Sequence, residues 1–458
     1  MGAISFRVAL NLQTNASGAV TAGSFNNIDD GIYDAPLRHL SEKSGRVYAD
    51  LDSGEKLEFG FKKRTLEGRY TQASGSFQNS GVVSPFHLKL GGNFLLPRLS
   101  ADGNPQTLYV YHPPQTLGDG WVTGDWRKAG LDFKPLQEGL QKIVDGTYPH
   151  IHSVQVAYRG QLVLDEYFYG YGPSDFHPLQ SETKSVFSTL VGIASDQGRL
   201  GMEEKLYDFF PEFRNEPGWT DNKNRITLRD LLTITSGFAC DDWTAPLACS
   251  WAMVHSSDWL SFVLAEPVDA EPGSRFRYCG ACLLTLSALL EKRSGLSVPD
   301  FAQKYLWDPL GIKRVKWFSG PQGVIPVSFG LQMRPRDFLK LGVLYLNQGV
   351  WKGKRVLSEG WIQQSTSLQI PKSQTNGKND YGYLWWERDV PAPGGGTARV
   401  FFAWGVGGQY LFVAPSLQMV CLVTGGNYKD SRLGANSFKL FQENLLASVS
   451  GPNHPDQK

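Results

Sequence analysis

Ser181 and Lys184 stand three residues apart in the stretch SETKSVFSTLVGIASDQGRL, where apolar residues begin to recur at helical spacing. Positions i and i+3 share one side of a helix, so a hydroxyl and an amine placed there can hydrogen-bond. A serine hydroxyl becomes an effective nucleophile when a base removes its proton, and a lysine serves as that base where desolvation or a nearby positive charge lowers its pKa. The unpaired amides of a helix start can also hold an oxyanion, and its positive end favours a neutral amine. The same spacing recurs at Ser53 and Lys56 in a turn-like stretch, so spacing by itself leaves a second reading open: an N-cap followed by a solvated lysine.

The elements that must position this pair follow from periodicity. Val186, Phe187, Leu190, Val191, Ile193 and Ala194 predict a helix with one buried face, and Gly198 a stop. Alternation at Ile4, Phe6, Val8, Leu10 and Leu12, at Leu57, Phe59 and Phe61, and at Phe86, Leu88 and Leu90 predicts hairpins, so residues 1–92 read as a small antiparallel β domain. Residues 93–126, dense in Pro, Gly and Asn, read as a linker running over the surface. Residues 127–448 form the second domain, and 449–458 a frayed polar tail. In that second domain HSVQVAYRGQLVLDEYF reads as a hairpin turning at Arg159-Gly160, and GGQYLFVAPSLQMVCLVTGG as another turning near Pro415. Helical patterns lie between them and a last helix is expected from about residue 432, which implies one antiparallel sheet closed by both ends of the domain and packed on helices.

Composition narrows the function. Lys plus Arg total 45 against 44 Asp plus Glu, so a formal charge of +1 gives no electrostatic footprint for nucleic acid or an anionic membrane. No run approaches a membrane span and the N-terminus lacks a signal peptide. We expect a soluble protein, exported to the periplasm or medium by a leader lying upstream of this chain, with a cytoplasmic location as the alternative. Of the five cysteines, Cys279 and Cys282 form a C-x-x-C, but no second pair or histidines stand beside it in sequence, so no metal site and no cofactor are expected. His150 and His152 read as solvated or capping residues. A Ser-His-Asp hydrolase is disfavoured because no G-x-S-x-G occurs, and PAPGGGTAR (391–399) lacks the Lys-Ser/Thr of a phosphate loop and reads as a flexible loop.

Longer ordered segments carry a resemblance. SETKS with LVGIASDQGRL, then ITLRDLLTITSG, EPGSRFRYC, YLWDPLGI, PRDFLKLGVLYLNQGVWKGK, YGYLWW and GVGGQYLFVAPSLQMVCLVTGG, together spanning about residues 122–448, resemble the serine β-lactamase/DD-peptidase superfamily. The likeness is to its class C-like branch, with the family VIII carboxylesterases and 6-aminohexanoate-dimer hydrolases. It implies an α/β (α+β) fold, an antiparallel sheet flanked by helices with an inserted helical region, preceded here by the all-β domain. It also implies that Ser181 is the acylated nucleophile, Lys184 its base and Tyr278, in RYCG, the proton-transferring tyrosine. Gly280 stands where that branch carries Asn. A literal Tyr-x-Asn at Tyr345 sits at a helix end and reads as packing.

The usual Lys-Thr-Gly is replaced by Trp404-Gly405, and the Val406 amide is expected to complete an oxyanion hole with that of Ser181. The resemblance implies a hydrolase of small esters or amides, with carboxylesterase action first, β-lactam or linear amide hydrolysis second, and a catalytically silent binding protein as the alternative from another class. It further places Cys240 at the site mouth beside Cys279, so a Cys240–Cys279 disulfide is expected. A Cys240–Cys249 bond and a fully reduced set are the alternatives.

Overall fold

A computed structural model describes residues 8–27, 32–62, 65–71, 83–89, 96–98, 105–215, 219–243 and 248–449. Ile4, Phe6 and Leu90 lie outside them. In the N-terminal region β1 (Val8–Thr14), β2 (Val20–Asn27) and β3 (Ile32–Pro36) form one antiparallel sheet. A five-stranded meander follows: β4 (Arg38–Lys43), β5 (Arg46–Asp50), β6 (Lys56–Lys62), β7 (Thr65–Thr71) and β8 (Val83–Lys89). Alternation in β5 and β6 sends Val47, Ala49, Leu57 and Phe59 into a core shared with Phe25 and Tyr70. Phe61 departs from the pattern and is exposed at the strand end.

The second core is separate and far larger. Its sheet is assembled from β9 (Ile151–Tyr158) and β10 (Gln161–Tyr167) and, two hundred residues later, from β16 (Asp380–Tyr381), β17 (Trp386–Pro391), β18 (Thr397–Gly405), β19 (Gln409–Ala414) and β20 (Met419–Gly425). The order is β10-β9-β20-β19-β18-β17-β16, antiparallel throughout, with β20 joining the two ends of the domain. Arg159 and Gly160 both adopt positive φ in the first hairpin, the conformation a two-residue turn requires. Between these strands come β11 (His177–Pro178), β12 (Lys316–Trp317) and β13 (Leu331–Met333) in a small sheet, and the hairpin of β14 (Val350–Trp351) and β15 (Lys354–Arg355). PAPGGGTAR is not a flexible loop: Pro391 and Thr397 pair across the β17–β18 hairpin, and the glycines make its turn.

The helices are α1 (Phe133–Val144), α2 (Thr183–Asp196), α3 (Leu228–Leu232), α4 (Ala248–His255), α5 (Trp259–Ala265), α6 (Leu284–Ser294), α7 (Val298–Ala302), α8 (Pro335–Leu346), α9 (Glu359–Ser365), α10 (Ser431–Gly434) and α11 (Asn436–Lys439). The expected last helix is thus broken, with α11 passing into a π-helical stretch, Leu440–Leu445. α2 buries every residue from Thr183 to Ala194 rather than one face. It is a buried helix packed against α6 and α9, so its polar residues need partners: Ser185 Oγ donates to Leu384 O at 2.7 Å and Thr189 Oγ1 lies 3.0 Å from Tyr345 Oη. α8 is likewise wholly buried, and its charges are paired, Lys340 with Asp337 and Arg336 with Asp119 and Asp165. Asp119 belongs to the Pro- and Gly-rich segment, where Tyr109, Tyr111, Trp121 and Trp126 are buried in the second core. Residues 105–126 are therefore strapped to the domain by aromatic anchors instead of lying loosely over it. Among the described residues no helix is long and apolar enough to cross a membrane.

Candidate active site

The chain reaches Ser181 through a strained corner. Gln180 has φ 51° and opens a short 3-10 turn, Gln180–Glu182, that leads into α2. Ser181 is consequently not the N-cap of α2; that position belongs to Glu182, which makes no capping bond. The turn leaves Ser181 partly exposed while Lys184, only 3% exposed, reaches back under it. Lys184 Nζ donates to Ser181 Oγ at 2.9 Å. Lys184 Nζ also lies 4.7 Å from the centre of the Tyr278 ring, so Ser181 and Lys184, paired by spacing, and Tyr278, implied by the resemblance, come together. Tyr278 meets Lys184 through its ring face, and among the described residues its hydroxyl forms no hydrogen bond with Ser181 or Lys184. Catalytic hydrogen bonds are often long before substrate is bound.

The opposite lip is the β18–β19 turn. Gly405 must be glycine, since a Cβ there would stand 2.6 Å from Leu179 O and 3.1 Å from Gln180 Cβ, against the turn that carries Ser181. Gly407 and Gly408 have φ of 93° and 92°. Buried Gln409 braces the turn by donating to Val406 O at 3.2 Å and accepting from Gly425 N at 3.0 Å, while Ser437 Oγ donates to Gly408 O at 2.8 Å. Val406 stands out, 54% exposed, and its amide donates to no group among the described residues.

Tyr278 is held by a different device. Asp242 N donates to Tyr278 O at 2.8 Å, and the Asp242 carboxylate accepts from Gly280 N at 2.7 Å and Ser250 Oγ at 3.0 Å. A Cβ on Gly280 would lie 3.0 Å from both Asp242 Oδ2 and Ser328 Oγ, so the space an asparagine side chain would fill is occupied. Trp243, 40% exposed, stacks on Tyr278 with centroids 4.8 Å apart and planes within 7°. Trp386 lies 6.1 Å from Tyr278 and 5.6 Å from Trp404, so the three rings form one aromatic wall. Buried Tyr381 packs 4.5 Å from Trp386; its phenol is pushed well above the ordinary range by burial and by the neighbouring Tyr278, and stays protonated.

Two carboxyls flank the site without facing it. Glu182, next to the nucleophile, is wholly buried, and burial pushes its pKa well above the usual carboxylate range, with the Leu411 backbone amide the one group favouring its charged form. Glu387, next to Trp386, is pushed up to about 7 by burial, against the opposing pull of Arg399 at 2.7 Å.

Asp242, Trp243, Trp386 and Gln409 were not singled out in the sequence. Asp242 and Trp243 had a signal in DDW following TITSGFAC, whereas Gln409 reads as an ordinary strand residue. His152 corrects the expectation of a solvated residue: it is fully buried, with Nδ1 2.9 Å from His177 Nε2 and its ring stacked on Tyr171. The expected Cys240–Cys279 bond is also replaced. Cys240 pairs with Cys249 and Cys279 with Cys282, each with Cα atoms 5.6 Å apart, because α4 returns Cys249 to Cys240 and the turn before α6 closes the C-x-x-C on itself.

Residues 147–431, which include Ser181, Lys184, Tyr278 and the β18–β19 turn, match the Beta-lactamase family model. The chain belongs to the beta-lactamase family. A relative by sequence is the 6-aminohexanoate-dimer hydrolase of Paenarthrobacter ureafaciens, 28% identical over 217 residues that cover 45% of this chain and 54% of that protein. The chain spans about half the length of the curated relatives it matches. Among solved structures, EstCE1, described as a hydrolase with promiscuous acyltransferase activity, superposes with a TM-score of 0.55 at 17% identity, covering 71% of this chain and 99% of that one. A penicillin-binding protein homolog from Caulobacter crescentus gives 0.52 at 16%, covering 69% and 97%. At these identities the two structures establish the fold.

Proposed function

We propose that the chain is a serine hydrolase that forms an acyl-enzyme on Ser181 and acts most readily on short-chain carboxylic esters. The observation that carries this reading is the 2.9 Å bond from buried Lys184 Nζ to Ser181 Oγ, which is partly exposed beside the Tyr278 ring. Ser181 Oγ attacks the ester carbonyl, Lys184 takes the proton, and Tyr278 passes it to the departing alcohol. The amides of Ser181 and Val406 bind the oxyanion, a contribution of roughly 2.7–4 kcal/mol per donor in comparable sites. Water then enters by the same route in reverse and releases the acid. The partner is a small molecule, and the chemistry needs no cofactor.

Ester preference rests on Trp404-Gly405. A penicillin or cephalosporin carries a carboxylate that a cationic third motif would pair; without it, a charge-assisted contact of roughly 1.5–3 kcal/mol is lost, about tenfold to hundredfold in affinity. Hydrolysis of a linear amide is the second reading, favoured by the likeness to a 6-aminohexanoate-dimer hydrolase. The test is mass spectrometry after a fluorophosphonate probe, followed by a panel of short acyl esters, a linear amide and a β-lactam. Labelling on Ser181 with esters turned over fastest is the expected result. Equal efficiency on the β-lactam removes the ester preference, and absence of labelling points to a silent binding protein.

A further inference from the structure

The C-x-x-C at Cys279 and Cys282 lacks a second pair nearby in sequence, but the fold supplies one. The Sγ atoms of Cys240, Cys249 and Cys279 lie within 4.8 Å of one another, and Cys282 Sγ is bonded to that of Cys279. We propose that these four cysteines, when reduced, form a tetrahedral zinc site that ties Cys240 and the first turn of α4 to the turn carrying Tyr278.

A tetrahedral site with Zn–S of about 2.3 Å sets its sulfurs about 3.8 Å apart. The sulfurs of Cys240, Cys249 and Cys279 already lie within 4.8 Å of one another, so metal binding requires both disulfides to open and Cys282 Sγ, outside that group, to turn in by side-chain rotation. Cys240, Cys279 and Cys282 are buried and Cys249 is half-buried, which shields the centre from solvent. Cys282 N–H donates to Cys279 Sγ at 3.1 Å, an outer-shell contact of the kind that spreads charge from a metal-bound thiolate. An all-sulfur donor set with no carboxylate or histidine among its members selects zinc over magnesium or calcium. Cys421, buried elsewhere in β20, takes no part.

The two states balance chemically. Two equivalents of a dithiol reductant deliver four electrons and four protons to the two disulfides and are themselves oxidised to disulfides. Zn²⁺ then displaces the protons from the four thiols as the Zn–S bonds form. The oxidised pair of bridges suits an exporting compartment and the zinc form a reducing one. In the oxidised state each bridge closes within its own segment, whereas in the zinc form one metal joins the two segments behind Tyr278.

The test uses the full chain, reduced with excess dithiothreitol under nitrogen, given zinc chloride, desalted and assayed for metal, with cobalt(II) chloride in parallel. The expected result is about one zinc per chain, four of the five thiols protected from alkylation, and a thiolate-to-cobalt charge-transfer band. Cys249→Ser and Cys282→Ser should each weaken zinc binding at least tenfold, by about 10–100-fold or more, while Cys421→Ser binds as the wild type does. A reduced chain that keeps its fold by circular dichroism yet takes up no zinc overturns the proposal, as does uptake unaffected by both serine variants. If reduction unfolds the chain, recovery of the fold on adding zinc supports the site, and failure to recover overturns it. None of these readouts depends on turnover at Ser181.

Discussion

The two walls of the cleft are built by different means. On the Ser181 side, backbone meets backbone: Gly405 lies against Leu179 and Gln180, and Gln409 and Ser437 fix the turn that presents Val406. On the Tyr278 side, rings and long-range anchors do the positioning: Trp243 and Trp386 stack around Tyr278, and Asp242 clasps its main chain. The first wall has no slack, because a methyl group displaces it. The second wall is distributed over several contacts, and losing one leaves the others.

The largest expected effect removes the pair at the foot of both walls. Ser181→Ala should lower ester turnover by about 10³-fold or more with little change in Tm, and Lys184→Ala should be nearly as damaging because groups acting as a unit fail together. Turnover retained in the alanine variant at Ser181 removes the proposed nucleophile, and with it the reason for calling these surfaces walls of a cleft.

A pair of substitutions then compares the walls directly. Gly405→Ala pushes the end of β18 off Leu179 and misplaces the Val406 amide, so kcat should fall by about 10²-fold, the scale of losing one oxyanion donor. Trp243→Ala removes one stacked ring worth about 0.5–1.5 kcal/mol, so the loss in kcat/KM should stay within about tenfold. If Trp243→Ala proves the more damaging, the aromatic side is the rigid one and the comparison is inverted.

That contrast also governs what was legible in the sequence. The two hairpins were legible from local alternation and turn residues, whereas the Ser181–Lys184 pair and the β18–β19 glycines took their proposed meaning from the family resemblance, since spacing alone left an N-cap with a solvated lysine open. Asp242 in the space of an absent asparagine and the His152–His177 pair depend on segments distant in sequence, which no spacing rule records, while the resemblance did bring the Cys240 and Cys279 segments together but not the way their cysteines pair. The helical register of α2 was right, but its burial on every side was not readable, because a moment reports one face and not what packs on the other. The described residues hold two separate cores, and the boundary placed near residue 92 lies outside them.

A smaller effect concerns pH and the outer edge of the aromatic wall. Glu387 has a folded-state pKa near 7, above its unfolded value, so the folded chain binds this proton more tightly. Stability from this group is then fully present below about pH 4.5 and is lost as pH rises toward 7, by up to about 3 kcal/mol. Glu387→Gln should flatten that part of the stability profile, measured by urea unfolding between pH 5 and pH 8. An unchanged slope assigns the pH dependence elsewhere and leaves Arg399 as a full counter-charge.

The smallest expected loss of turnover, at Tyr345, separates the two tyrosines that sequence motifs offered. Tyr345 is fully buried, its hydroxyl 3.0 Å from Thr189 Oγ1 and its ring packed 4.6 Å from Trp385, far along α2 from the serine. Tyr345→Phe deletes that hydrogen bond while keeping the ring, which should cost about 1 kcal/mol of stability and leave turnover within about twofold. Tyr278→Phe keeps the stack with Trp243 and Trp386 but removes the hydroxyl that passes the proton, so kcat should fall by about 10²-fold or more with stability nearly unchanged. The two variants thus exchange signatures: one moves Tm and spares kcat, the other spares Tm and lowers kcat. A fall in kcat for Tyr345→Phe without loss of stability would transfer the catalytic hydroxyl to the helix side of the site and make the Trp243–Tyr278 stack purely structural.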